Sequence, residues 1–233
     1  MIGRTLWFAV LAALAVVASL AQLDRSARSQ AALAAQVPSP FRGFAAERLT
    51  EQAISAEDGV TALREARLLV KARPMPAENM RLLSQASVLA GDGTRALAAM
   101  EAATTRGWRD PLAQLAAGQS ALLQGDYAAA AQRIAALSAV GALPDQRNSL
   151  LAALLAQPEG RAAFAVQLAN PARWRADTLT AALQVVPPEQ LAPTLAQAQA
   201  KGAALPCELL NKIAAAYRAE QAAQFWPGKC ARP

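Results

Sequence analysis

Apolar positions along this chain recur at the helical spacings of three and four, and no stretch alternates apolar with polar as a half-buried strand does. From Leu6 to Leu23 the run is continuous apart from Ser19 and Gln22. Leu23, Ala27, Ala31 and Ala34/Ala35 then fall on one face of a predicted helix from Leu23 to Gln36. It ends before Pro38-Ser39-Pro40, a stiff linker, because a residue preceding proline is pushed out of the helical region. Phe44, Leu49, Ala53 and Ile54 predict a helix from Gly43 to Ala56, and Leu63, Ala66, Leu69 and Val70 a second, ending at Arg73 before Pro74-Met75-Pro76. The next pair is expected over Ala77 to Ala90 and Gly93 to Thr105. A third starts at Pro111, a residue suited to a first helical turn, and closes at Ala142 to Pro144.

Three turns separate the members of these pairs: Glu57-Asp58-Gly59, Gly91-Asp92-Gly93 and Gly125-Asp126-Tyr127, each 34 residues after the last. Three residues beyond each stands an alanine, Ala62, Ala96 or Ala130, and Pro40, Pro74 and Trp108 share the same register. Glycine supplies the left-handed conformation that ends a helix, and aspartate caps the start of the next. A fixed period of this length marks stacked helix pairs, each burying its apolar face on its neighbours.

These residues resemble the tetratricopeptide repeat, which has Gly-Asp-Tyr at its inter-helix turn, a small residue at its eighth position and alanine after the turn. The third copy is the most similar, with Gly118, Gly125-Asp126-Tyr127, Ala130 and Leu137. The second has Ser84, Gly91-Asp92 and Ala96, with Trp108 in place of proline; the first has Leu49, Ala62 and Pro74, with Glu57 in place of the turn glycine. The resemblance covers residues 43–144 and implies an all-α, right-handed α-solenoid of antiparallel helix pairs, preceded here by the N-terminal hydrophobic helix. It further implies that the first helix of each pair lines a partner-binding groove. The inward positions are then Phe44, Glu47 and Glu51, next Glu78, Arg81 and Gln85, and finally Leu112, Leu115 and Gln119. This mixed strip lacks the run of asparagine or lysine that captures a peptide carboxylate.

Beyond Pro144 the register fades. A turn is expected at Pro158-Glu159-Gly160, between helices over Asn148 to Gln157 and Arg161 to Leu168, with Pro171 ending the latter. A further pair spans Arg175 to Val186 and Glu189 to Lys201, and the last helix runs from Glu208 to about Ala223. Solenoids need atypical ends, so this region reads as divergent pairs with a cap. The chain thus divides into residues 1–23 (apolar segment), 24–40 (half-repeat and linker), 41–144 (three pairs) and 145–233 (divergent pairs and cap).

The apolar segment, led by Arg4, is at the short edge of what spans a bilayer, and Ser19-Leu20-Ala21 before Gln22 also suits leader cleavage. The expectation is an uncleaved single-pass inner-membrane anchor through residues 6–23 with the body in the periplasm of a Gram-negative bacterium; the alternative is a soluble periplasmic protein after cleavage. Both leave the charged leader inside and the body outside. Cys207 and Cys230 are the only cysteines, and in an oxidising compartment an isolated pair reads as a structural disulfide.

Composition narrows the chemistry. About a quarter of the 233 residues are alanine, only 5% are aromatic, and histidine is absent, which removes the usual general base and the commonest metal ligand. There is no glycine-rich phosphate loop and no G-x-S-x-G, and carboxylates are dispersed. No cofactor, metal or catalytic residue is expected. The net charge of +6 is spread over scattered arginines, which reads as a solvated helical surface and not as a nucleic-acid site. The expected role is a non-enzymatic scaffold holding a protein partner of an envelope, polysaccharide or secretion assembly. The alternative is an exported soluble module that binds an anionic glycan or lipid surface through its arginines. Trp108 and Trp174 lie between helix pairs and Trp226 in the C-terminal tail; each suits packing wedges better than contact hot spots.

Overall fold

A computed structural model describes residues 2–216, and every regular element among them is helical. Residues up to Gly107 form one compact unit and those from Trp108 another. In the first, α1 (Ile2–Ala27) leads through two 3-10 turns, Ala31–Gln36 and Ser39–Phe41, into α2 (Phe44–Ser55), α3 (Gly59–Ala72), α4 (Ala77–Leu89) and α5 (Gly93–Arg106). The second holds α6 (Pro111–Leu123), α7 (Tyr127–Val140), α8 (Pro144–Leu155), α9 (Pro158–Ala169), α10 (Trp174–Ala182), α11 (Pro188–Ala200) and α12 (Cys207–Ala216). α2 packs on α3 and α4, and α4 on α5; in the second unit α6 packs on α7 and α8, and α9 on α7 and α11.

The three 34-residue turns are built alike. The amides of Asp58, Asp92 and Asp126 donate back to the carbonyls of Ala53, Ser87 and Ala121 at 2.8–2.9 Å, closing the preceding helix. Each aspartate side chain then accepts the amide three residues on, from Thr61, Arg95 and Ala129, at 3.0 Å. The Thr61 hydroxyl and amide hold the Asp58 carboxyl below its ordinary value. A depressed carboxylate contributes its full stability above its unfolded pKa and loses it as pH falls through the folded value, so this cap fails only in acid. Ala62, Ala96 and Ala130 are buried at the seams, where a larger side chain would hold the helices apart.

Alanine dominates the first unit's core, which consists of small clusters such as Ala53, Ala62, Ala66 and Ala86, or Ala46, Leu69 and Leu82. The second unit has a larger leucine-rich core around Ile134, Leu151, Leu154 and Phe164, with the Trp174 ring tilted on Phe164 at 6.2 Å between centroids. Trp174 is thus a packing residue. Trp108 is half exposed and carries the Arg109 guanidinium 4.8 Å over its ring, and Trp226 lies outside the described residues.

Several boundaries differ from the sequence pattern. Leu23 to Gln36 is not one helix: α1 continues through Ala27, and the rest coils as a 3-10 turn. The turn expected at Pro158-Glu159-Gly160 is instead the first turn of α9, with Pro158 at its start. Gly160 serves a close approach there, since a Cβ on it would lie 2.0 Å from the Leu154 carbonyl oxygen. α8 starts at Pro144, four residues before the expected Asn148, because Leu143 takes the left-handed conformation and Pro144 opens the helix. α12 begins at Cys207; the expected continuation to Ala223 lies outside the described residues.

Glu57 is the one turn residue forced into a backbone that glycine adopts freely, at φ 57° against 75° for Gly91 and 72° for Gly125. A left-handed side-chain residue costs about 1–2 kcal/mol, and glycine's extra unfolded entropy returns about 0.5–1 kcal/mol of that. Glu57→Gly is therefore expected to stabilise the chain by roughly 0.5–1 kcal/mol. The measurement is the urea midpoint at unchanged slope, with Gly125→Glu moving it the other way.

Candidate partner-binding site

The positions that the repeat resemblance assigns to a groove separate into two kinds. In the first unit they are largely engaged within the chain. Glu47 accepts Arg73 Nη1 at 2.6 Å, and the same guanidinium lies 4.2 Å over the Phe44 ring, with Arg28 on that ring at 5.4 Å. Glu51 pairs with Arg48 at 2.8 Å, one turn away on α2. Arg81 donates to Gln85 Oε1 at 3.3 Å on α4, and Glu78 is exposed. A partner would therefore have to displace ion pairs to reach Glu47 and Glu51, whereas Glu78 is open to solvent.

In the second unit the geometry is open. α6 and α8 flank a groove of about 670 Å³. α6 contributes Gln119, Leu122 and Leu123 at i, i+3 and i+4; α8 contributes Gln146, Ser149 and Leu150 at the same spacings. Leu123 is 90% exposed at the rim, an apolar side chain that nothing in its unit covers. The lining has no carboxylate, ammonium or guanidinium. Its amides offer both donors and acceptors, and its leucines offer apolar contact, which suits an uncharged segment anchored by an apolar residue. Leu115 is half-buried against the core at the edge of this face, and Leu112 is exposed. Of the expected residues, then, Gln119 alone lines this groove. Leu123 and the α8 residues were missed, because the repeat resemblance names other positions on α6 and ends at Pro144, before α8.

Beneath the groove helix, Arg147 of α8 is buried and donates through Nε and Nη2 to Asn148 Oδ1 at 3.1 and 2.8 Å. Burial lowers its pKa, and the Asp177 charge opposes the shift. Cys207 opens α12, and its expected partner, Cys230, lies outside the described residues. Among the described residues no three His, Cys, Asp or Glu side chains gather as metal ligands would.

A second candidate feature lies where α1 meets the rest of the first unit. Arg4–Ala27 is long and apolar enough to cross a membrane or to act as a signal sequence, and its apolar window is unburied. Leu6, Trp7, Phe8, Val10, Leu11, Leu14, Val16 and Val17 are all exposed. Its last turn behaves differently. Ala27 is fully buried with Ala34, Val37 and Ala45, and Leu23 packs beside them. Asp24, 8% exposed, accepts the amides of Gly43 and Ala45 at 2.9 Å through Oδ1 and that of Phe44 at 3.1 Å through Oδ2. These amides open α2 and have no partner within their own helix. Arg48 adds to the joint by donating to the Arg28 carbonyl at 2.8 and 3.2 Å. Asp24 stands 34 residues before Asp58, in the register of Asp92 and Asp126. That spacing was the available signal for it.

No family model matches the chain, and no curated protein or solved structure matches it.

Asp24→Ala leaves three amides without their acceptor, that of Ala45 buried and those of Gly43 and Phe44 partly so, and removes charge from a helix start. The expected loss is about 2–3 kcal/mol, read from the urea midpoint of the full chain in detergent, with Asp24→Asn intermediate.

Proposed function

We propose that this chain is a non-enzymatic scaffold, anchored in the inner membrane by α1, that holds a protein partner on the periplasmic side of a Gram-negative envelope. One observation carries the reading. α1 is apolar on every side and uncovered over most of its length, yet its last turn is built into the core of the first unit. An uncovered apolar helix of this length is satisfied by lipid, and the packed end makes it part of the body. Ser19-Leu20-Ala21 lies inside the helix, with its peptide groups in the helical hydrogen-bond ladder and not extended for a protease.

The helix pairs support the tetratricopeptide-like reading, in which they stack as a right-handed solenoid and the first helices present the binding face. The α6–α8 groove is the part of that face best suited to a partner. The cap is then held by a Cys207–Cys230 disulfide, worth roughly 3 kcal/mol for a loop of this size in the chain-entropy model. The reading as a soluble binder of polyanions is weakened by how the arginines are used. Arg42, Arg48, Arg73 and Arg95 all pair with carboxylates of the chain itself.

Carbonate-washed membranes from expressing cells test the proposal. The expected result is full-length chain in the pellet, digested by protease added to spheroplasts, with neither cysteine alkylated before reduction. A soluble chain beginning at Gln22 would contradict the anchor, and a protease-resistant body would contradict the orientation.

A further inference from the structure

We propose that the outer face of α3 is a docking surface for an acidic, amphipathic segment of a partner protein. The proposal rests on the scaffold reading and names the chemistry of its partner. Val60, Arg64, Arg67 and Lys71 follow one another at spacings of four, three and four, so they form one stripe, and all four are exposed. Two concavities run end to end along this stripe. One of about 590 Å³ contains Val60, Leu63 and Leu68 and is bounded by Ala90 at the end of α4. The other, about 240 Å³, shares Leu68 and reaches Lys71 and Pro40. Together they make a trough with an apolar floor and a cationic rim, along a 14-residue helix about 20 Å long.

Of the acids nearest the trough, Glu65 and Asp58 are engaged within the chain, and Glu57, exposed in the turn before α3, is the one acid beside the rim cations. Glu65, the one acid of α3, is 1% exposed; Arg42 Nη1 donates to both its oxygens at 3.1 and 3.2 Å, and Arg64 Nε to one at 3.2 Å. Asp58, at the N-terminal end, is held by Thr61 and feels Arg64. Arg64 keeps most of its side chain in solvent, at 63% exposed. Arg67 and Lys71 make no ion pair among the described residues and face outward. Val60, 78% exposed among these cations, is an apolar anchor point without a cover. A polyanion without apolar groups leaves the floor of the trough unused, and a flat bilayer surface meets the rim cations without entering the concavity. A helix that carries carboxylates beside an apolar stripe satisfies both.

The test places a photo-reactive amino acid at Val60 of the full chain in membranes of its own host and maps the adducts by mass spectrometry. The expected adduct is with one protein, through a segment carrying carboxylates at helical spacing between apolar residues. Arg67→Glu with Lys71→Glu should cut its yield about tenfold or more, while Arg67→Lys retains it; circular dichroism confirms that each variant is folded. A phospholipid adduct, an adduct through a neutral or basic segment, indifference to charge reversal, or no adduct each overturns the proposal. The same probe at Leu123 separates the two claims. A protein adduct there with none at Val60 removes the α3 surface and leaves the scaffold; no protein adduct at either site removes both.

Discussion

Aspartate carboxylates at helix N-termini are the interaction on which this molecule depends. Asp58, Asp92, Asp110 and Asp126 each cap the helix that follows them in the chain, at the starts of α3, α5, α6 and α7. A helix start presents unpaired amides and the positive end of its dipole, so a carboxylate satisfies both at once. Asp24 does the same for α2 from a different helix, 19 to 21 residues earlier in the chain. That makes it a structural joint as well as a cap. The end of the apolar helix and the start of the first hairpin become one object.

The rest of the first unit is compatible with that joint because its seams are small. Alanines at the contacts let helices approach closely at little cost in side-chain entropy, but each buries little apolar area. Clusters of four alanines stabilise weakly, and ion pairs such as Arg42–Glu65 and Arg73–Glu47 carry part of the registration between elements. Breaking the Arg42–Glu65 pair leaves Glu65 as a buried charge, so this pair fixes geometry more than it adds stability. The second unit follows the ordinary route, a leucine-rich core with Trp174 tilted on Phe164. The difference explains why the candidate surfaces differ too. Where arginines register helices they are unavailable to a partner, and where leucines do so the amide-lined groove stays open.

What was legible in the sequence follows from range. The three hairpins, their turns and their capping aspartates are local features, written within five or six residues, and the pattern located them to within one or two positions. Glu57 obeys the same turn geometry at a cost, so the hairpin survives where its glycine does not. The joint was not legible as such, because an aspartate inside a helical run reads as a solvated residue until the α2 amides are brought to it. Nor was the α8 side of the groove: Ser149 and Leu150 fall within the helix expected from Asn148, but the repeat resemblance ends at Pro144, and Gln146 joins them only because Leu143 adopts a left-handed backbone and Pro144 opens the helix early. The residues named as groove positions in the first unit lie on α2 and α4, and long-range partners such as Arg73 engage them, which no local pattern announces.

The first unit therefore depends on the joint that Asp24 makes between α1 and α2. Amide hydrogen exchange at Gly43, Phe44 and Ala45 measures this directly, comparing the full chain in detergent with a chain that lacks residues 1–24. The expected result is slow exchange at these three amides in the full chain, close to that of the interior of α2, and rapid exchange once Asp24 is gone. Rapid exchange in the full chain, as for an uncapped helix start, or equal protection in both, would contradict the joint.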